Sequence, residues 1–235
     1  MGTPAPHIQH GPWAPPTGQP GRFYIDTEEW THLITSILCI CLALTFYSMG
    51  LNAQPGPFMF MMLVFGLTVG SGFLLHEMAH KWTAIQFGAK ARFEAWLWGL
   101  GLMLALAIIP QIVWKTNFGL FLAPGVTAIF ASRPVSPKQN GLISVAGPVM
   151  NLALAAFFFG LGILLVGGVE LGMTSSPDAT LTMICIMGIK VNLGLALFNL
   201  LPVFPLDGIK VLMWDWRIWL SLFVIALLGS SFLGF

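Results

Sequence analysis

The chain has 235 residues, of which 57% are hydrophobic and only 8% are charged, and its mean hydropathy is +0.84. An average globular chain has about 25% charged residues, so this composition excludes a water-soluble fold and indicates an integral membrane protein. Ten basic and nine acidic residues give a net charge of +1, which excludes the concentrated basic face that nucleic-acid binding requires.

The first 22 residues contain six prolines, four glycines and almost no aliphatic side chains. Such a segment buries too little apolar surface to fold, so we expect a flexible tail. It also lacks the basic start and the apolar run of a cleavable signal peptide. Residues 23–235 are predicted to form a single polytopic membrane domain.

Five apolar stretches are long enough to cross a bilayer as helices. They are residues 33–51, 58–75, 139–169, 179–206 and 218–235. Between the second and third stretches, residues 95–132 are apolar but are interrupted by Pro110, Lys115 and an Ala-Pro-Gly turn signal at 123–125. Because this region could form another span, a hairpin of spans or a re-entrant element, the prediction is five to six spans.

The basic residues predict the orientation, because Lys and Arg near the ends of spans are retained on the cytoplasmic side. With the amino terminus inside, the outer loops 52–57 and 170–178 contain no Lys or Arg. This topology requires residues 95–132 to begin and end on the cytoplasmic side, which favours a re-entrant element over a single crossing. We therefore expect a multi-pass protein of the cell membrane with a cytoplasmic amino terminus.

Ionisable groups are rare inside membranes because burying them is unfavourable, and here they cluster. His76, Glu77 and His80 form a His-Glu-Met-Ala-His sequence at the inner end of the second span. Residues four apart share a helix face, so both imidazoles can bind one metal ion while Glu77 reaches a bound water. The alternative is a helix end that matches a short pattern by chance, but Glu77 would then be an unpaired buried acid. The pattern favours a zincin-type metal site.

A catalytic zinc site usually has three protein ligands and one open position, so a third ligand is needed. Asp207 is the strongest candidate, because Pro202 and Pro205 end the preceding helix near the inner membrane face. Irregular backbone at that depth is tolerated only where protein or a water-filled cavity surrounds it. We expect Asp207 to lie on the same side as the histidines; a charge that only marks the membrane boundary is the alternative.

Three motifs in this order resemble the site-2 proteases, a family of intramembrane zinc metalloproteases. They are His-Glu-Met-Ala-His at 76–80, Gly-Pro-x-x-Asn at 147–151 and the segment 199–208, which contains Leu-Asp-Gly. The resemblance covers about residues 58–211, the predicted core of the domain, and is closest to compact archaeal and bacterial members. Many members have a second glycine where this chain has Ile209.

The resemblance implies His76, His80 and Asp207 as ligands of one zinc ion per chain, with Glu77 as the general base. The implied activity is cleavage of transmembrane segments of membrane-anchored proteins, close to the cytoplasmic face of the lipid bilayer. The active site would then face the cytoplasm, like the amino terminus.

Two asparagines are candidate substrate-binding residues. The resemblance implies that Asn199 contacts the substrate backbone and that Asn151 helps near the metal. The alternative for both amides is hydrogen bonding to neighbouring helices, which is common for Asn in membrane helices.

A predicted strand edge is the other candidate substrate-binding element. An unwound substrate helix exposes backbone groups, and a free strand edge can pair them. Residues 90–96 and 120–130 have strand-like composition, and the resemblance implies a membrane-embedded sheet after the histidine helix. We expect residues 121–130 to bind substrate, with an interfacial loop or short helix as the alternative. The residues singled out there are Phe121, Leu122, Ala123, Pro124 and Gly125.

The sequence therefore predicts an all-α integral membrane protein of five to six transmembrane helices with a small re-entrant β element. Two other functions stay open. A metal-ion transporter would also place His and carboxylate groups in the membrane, although the internal repeats typical of transporters are not found. A non-catalytic homologue could bind membrane helices without cleaving them, but the intact Glu77 argues against this. The substrate, the cleavage site and the oligomeric state, a homo-oligomer included, are left open.

Overall fold

A computed structural model describes residues 22–117, 119, 124–131, 134–166 and 179–232. These residues form eight α-helices, one π-helical turn and a two-stranded sheet. The elements are, in chain order, α1 (Thr27–Met49), α2 (Pro55–Phe65), the π-helical turn (Gly66–Gly70), α3 (Ser71–Gln86), β1 (Lys90–Ala95), α4 (Leu97–Val113), β2 (Gly125–Phe130), α5 (Pro137–Val166), α6 (Ala179–Asn199), α7 (Asp207–Trp214) and α8 (Trp216–Phe232). The tail predicted for residues 1–22 lies outside the described residues apart from Arg22.

Within the described part of the chain, four helices are long and apolar enough to cross a membrane, namely Thr27–Met49, Pro55–Gln86, Pro137–Leu165 and Ala179–Asn199. The second is a continuous helix of 32 residues that joins α2, the π-helical turn and α3. The apolar helix α4 has 17 residues and is about 26 Å long, slightly less than the roughly 30 Å of a bilayer core. The structure therefore contains four candidate spans, and five to six spans stay a prediction.

The ends of the first and fourth spans differ from the prediction. Helix α1 begins at Thr27, several residues before the predicted start, because Asp26 caps it by accepting a 2.8 Å hydrogen bond from the Glu29 backbone N–H. Helix α6 ends at Asn199 rather than at residue 206, because Pro202 restricts the residue before it and has no N–H to continue the helix.

The two predicted strands form an antiparallel pair. The register runs from Lys90 opposite Phe130 to Ala95 opposite Gly125. Helix α4 starts at this sheet and runs alongside α1 as far as Phe46, whose carbonyl accepts a 2.7 Å hydrogen bond from Gln111 Nε2. The segment between β1 and β2 therefore begins and ends at the same sheet, as a re-entrant path requires.

A buried ion pair fixes the sheet beside the helices. The Lys81 ammonium of α3 bonds to the Glu29 carboxylate of α1, and both side chains are almost completely buried. The other oxygen of Glu29, Oε1, accepts a 3.1 Å hydrogen bond from the Phe93 backbone N–H in β1. One carboxylate thus joins α1, α3 and β1, and at Phe93 the outer edge of β1 is bonded within the protein.

Helix α5 is the central element of the second half of the chain. It packs against α3, α6 and α7. Because α3 carries the two histidines and α7 begins at Asp207, this packing places the distant predicted metal ligands on the same side of α5.

Candidate active site

The three predicted metal ligands converge. The Nε2 atoms of His76 and His80 are 3.0 Å apart, and Asp207 Oδ2 lies 3.3 Å from the first and 3.0 Å from the second. All three side chains are largely buried. The helical spacing brings the histidines onto one face of α3, and the start of α7 places the carboxylate opposite them.

The hydrogen bonds of the two imidazoles define which nitrogen carries the proton. His76 Nδ1 is 2.6 Å from Asn151 Oδ1, and His80 Nδ1 is 2.7 Å from the Ile143 carbonyl oxygen. Because both oxygens act as acceptors, each Nδ1 carries a hydrogen and donates it. In the neutral rings each Nε2 therefore has its lone pair directed towards the cluster, which is the form that binds a metal.

The cluster therefore brings together two nitrogen lone pairs and a carboxylate oxygen, which repel one another unless a proton or a metal ion lies between them. Zinc binds such donors at about 2.0–2.2 Å, and a tetrahedral site separates neighbouring ligand atoms by about 3.4 Å. The observed separations of 3.0–3.3 Å are close to this value. The residues present thus fit a zinc ion.

The second oxygen of Asp207 has a different partner. Lys210, one turn along α7, places its Nζ 3.7 Å from Asp207 Oδ1. This ion pair directs Oδ1 away from the histidines and leaves Oδ2 facing them. Lys210 was not predicted as a site residue, although its position three residues after Asp207 is compatible with such a pair.

A stripe of helix α5 lies directly against the histidines. Ile143, Gly147 and Asn151 are spaced by four residues and so share one face of the helix. The first and last accept the histidine hydrogen bonds described above. At Gly147, an added Cβ would lie 2.5 Å from the Nε2 atoms of both His76 and His80. Only glycine therefore fits at position 147, the first residue of the Gly-Pro-x-x-Asn motif.

Glu77 is 7% exposed and is held by the sheet. Thr127 Oγ1, on β2, donates a 2.6 Å hydrogen bond to Glu77 Oε2. The sequence placed residue 127 in a strand but did not predict this contact. The feature of the sequence that could have indicated it is the single hydroxyl side chain, Thr127, in an otherwise apolar strand.

A cavity of about 470 Å³ joins the histidine cluster to the sheet and to the end of α6. His76, Glu77, His80 and Asp207 line it, together with Pro124, Gly125 and Thr127 from the sheet and Asn199 from α6. The structure thus brings Pro124, Gly125 and Asn199 to the same cavity as the cluster. Phe121, Leu122 and Ala123 lie outside the described residues.

The two predicted asparagines occupy different positions. Asn199 lines the cavity, and its Nδ2 donates a 3.0 Å hydrogen bond to the Leu195 carbonyl of its own helix. Asn151 is fully buried behind His76 and contacts its ring rather than the cavity.

Apolar helices long enough to cross a membrane, packed around a cluster of two histidines and one carboxylate, are the features of a membrane metalloprotease. Residues 64–186 match the model of Peptidase family M50, which includes the site-2 proteases. The chain belongs to this family, and zinc is the metal that the family implies.

Curated relatives from archaea and bacteria carry the printed name "Putative zinc metalloprotease". MJ0611 of Methanocaldococcus jannaschii is 33% identical over 91% of this chain and 95% of its own length. YwhC of Bacillus subtilis is 33% identical over 62% of this chain and 66% of its own length. Rip3 of Mycobacterium tuberculosis is 40% identical over 38% of this chain and 21% of its own length. No solved structure shows a significant match.

Proposed function

We propose that the chain is a zinc metalloendopeptidase that cleaves transmembrane segments of membrane-anchored proteins near the cytoplasmic face. The observation that carries this proposal is the convergence of His76 Nε2, His80 Nε2 and Asp207 Oδ2 within 3.3 Å of one another. Glu77 lines the same cavity. Membership of the metalloprotease family supports the assignment.

In this proposal His76, His80 and Asp207 hold one zinc ion per chain. Bound zinc lowers the pKa of a water molecule towards about 7 and polarises a peptide carbonyl. The Nδ1–H groups of the histidines are already used by Asn151 and the Ile143 carbonyl. Both rings are therefore preorganised to present their Nε2 atoms as ligands.

Glu77 is the general base in this proposal. It takes a proton from the water that attacks the peptide carbonyl and then transfers the proton to the departing amine. The hydrogen bond from Thr127 holds Oε2 and restricts rotation of the carboxylate. The other oxygen, Oε1, is then the proton acceptor.

The sheet supplies the edge that binds an unwound substrate. Phe93 and Thr127 face each other in the antiparallel register, and the Phe93 N–H points away from β2 to Glu29. In such a non-hydrogen-bonded pair, the N–H and C=O of Thr127 must point to the opposite edge of β2. The same alternation applies to Gly125 and Ile129, and all three residues line the cavity. A substrate in extended form can pair with these groups.

We also propose that the site faces the cytoplasm in a multi-pass protein of the cell membrane. The basic residues Lys81, Lys90, Arg92 and Lys210 belong to the elements that surround the site, α3, β1 and α7. Basic residues near span ends are retained on the cytoplasmic side. The support for this orientation is therefore the charge bias together with the position of the site.

Substitution of the proposed base tests the activity. The purified wild-type protein, reconstituted with a single-span membrane protein, should cleave it, whereas Glu77→Gln should not. Zinc should remain at one ion per chain in both, because Gln leaves the three ligands in place. The matched control is Glu28→Gln, which makes the same change at a side chain that is 69% exposed and outside the cavity lining. It should cleave like the wild type.

The outcomes separate the alternative functions. Hydrolysis by Glu77→Gln at the wild-type rate would refute the assigned base. Zinc flux into proteoliposomes that is unaffected by Glu77→Gln, without cleavage, would favour a transporter. Capture of an intact membrane substrate by the zinc-loaded wild type would favour a non-catalytic binding protein.

A further inference from the structure

A row of buried amide groups connects helix α6 to the candidate metal ligand His76. Asn192 on α6 and Asn151 on α5 are both 0% exposed. Asn151 Nδ2 donates a 3.0 Å hydrogen bond to Asn192 Oδ1, and Asn151 Oδ1 accepts from His76 Nδ1 at 2.6 Å. Asn192 was not predicted as a site residue, and it does not line the cavity.

The direction of every hydrogen bond in this row follows from a backbone carbonyl. Asn192 Nδ2 is 2.8 Å from the Gly188 carbonyl oxygen, which can only accept, so the nitrogen of the Asn192 amide must face it. Its oxygen then faces Asn151 and requires the nitrogen of that amide. The oxygen of Asn151 is left for His76, whose Nδ1 must carry the hydrogen.

The Asn151 amide uses all of its hydrogens. Its Nδ2 also donates a 3.1 Å hydrogen bond to the Gly72 carbonyl oxygen of α3. A Cβ on Gly72 would lie 2.5 Å from Asn192 Oδ1, so the absence of a side chain there lets Asn192 approach α3. The Asn151 amide is thereby held by one acceptor on α3 and one on α6.

We propose that Asn192 is a positioning residue for the zinc site. It holds the Asn151 amide in the orientation that makes His76 donate through Nδ1 and present the Nε2 lone pair to the ion. The inference rests on the proposed zinc site and extends it from α3, α5 and α7 to the membrane-spanning helix α6. Mutation of a residue that hydrogen-bonds a metal-binding histidine typically lowers metal affinity by about 10- to 100-fold.

Zinc affinity of the purified protein, measured by competition with a chelator, tests the proposal without any need for cleavage. Asn192→Leu keeps the branching at Cγ and removes both polar groups, so its zinc affinity should fall about 10-fold. Asn117→Leu is the matched control, because it makes the same change at an amide that donates to the Tyr47 carbonyl oxygen and lies outside the cavity lining. Its zinc affinity should equal that of the wild type.

Three further variants separate positioning from a general structural effect. Asn192→Ala removes the amide without adding bulk, and its zinc affinity should fall by the same factor. This variant replaces Asn192→Leu in the test if the leucine variant does not fold. In Asn192→Asp, a protonated carboxyl keeps both contacts, because its hydroxyl can donate to the Gly188 carbonyl oxygen and its other oxygen can accept from Asn151, so this variant should recover most of the affinity. In an Asn151→Leu background, Asn192→Leu should cause no further loss, because residues that act through one another are not additive.

The possible failures are distinguishable. Wild-type affinity in both Asn192→Leu and Asn192→Ala, or additive losses in the double variant, would overturn the role of Asn192 and leave the zinc site intact. A wild-type protein that binds no zinc would overturn the zinc site itself and the inference with it.

Discussion

A methyl group at position 147 should destroy the metal centre. In the structure an added Cβ would lie 2.5 Å from the Nε2 atoms of both His76 and His80, whereas ordinary contacts of a Cβ lie at 3.4–4 Å. In Gly147→Ala, the two rings or helix α5 must therefore move by roughly 0.9 Å. Metal–ligand distances tolerate about 0.2 Å, so this displacement is too large to be absorbed by small adjustments.

We expect zinc affinity to fall by at least about 100-fold. Loss of a residue that only hydrogen-bonds a metal ligand lowers affinity by up to about this factor, and here the ligands themselves are displaced. Zinc affinity would be measured on the purified protein by chelator competition. Gly160→Ala is the matched control, because it lies on the same helix and a Cβ there meets nothing within 4 Å. Its zinc affinity should be unchanged.

The result that would refute this reasoning is wild-type zinc affinity in Gly147→Ala. Zinc would then have to be bound somewhere other than between His76, His80 and Asp207. An equal loss in Gly160→Ala would also contradict it, because the effect would then reflect α5 in general rather than the contact with the two rings.

Substitutions at Thr127, Lys81 and Glu29 test the parts of the structure that hold Glu77 and the sheet. Thr127→Val removes the hydroxyl that bonds to Glu77 Oε2, so kcat for a membrane substrate should fall about 10-fold with KM little changed. Thr127→Ser should restore it, and full activity in the valine variant would argue against this contact. Lys81→Met leaves the Glu29 carboxylate buried without its cation, so the free energy of unfolding in detergent should fall by about 3–5 kcal/mol. Glu29→Met should also lower the free energy of unfolding, because it leaves Lys81 without its anion and the Phe93 N–H without its acceptor. An unchanged free energy of unfolding in either variant would show that this ion pair does not hold the sheet.

The apolar spans could be predicted from the sequence because hydropathy is a property of consecutive residues. The ends of those spans could not be predicted from hydropathy, because they depend on capping residues and prolines. Asp26 extends α1 towards the amino terminus by capping it, and Pro202 ends α6 before the apolar stretch is complete.

The pairing of His76 with His80 also follows from the sequence, because residues four apart share a helix face. The sheet could be predicted from its composition, but its register and the edge that faces the cavity could not. Glu29 bonds to the Phe93 N–H on the outer edge of β1, and the other edge of the pair, on β2, lines the cavity.

What the sequence by itself determined is the membrane class, the positions of the apolar spans and the local motif that carries both histidines. Only the tertiary structure decided the contacts of Asp207, Gly147, Thr127 and Asn192, which come from α7, α5, β2 and α6. These contacts depend on how α5 packs between α3, α6 and α7. The order of residues along one element defines its faces, whereas the partner of each face is set by packing between elements that are distant in the chain.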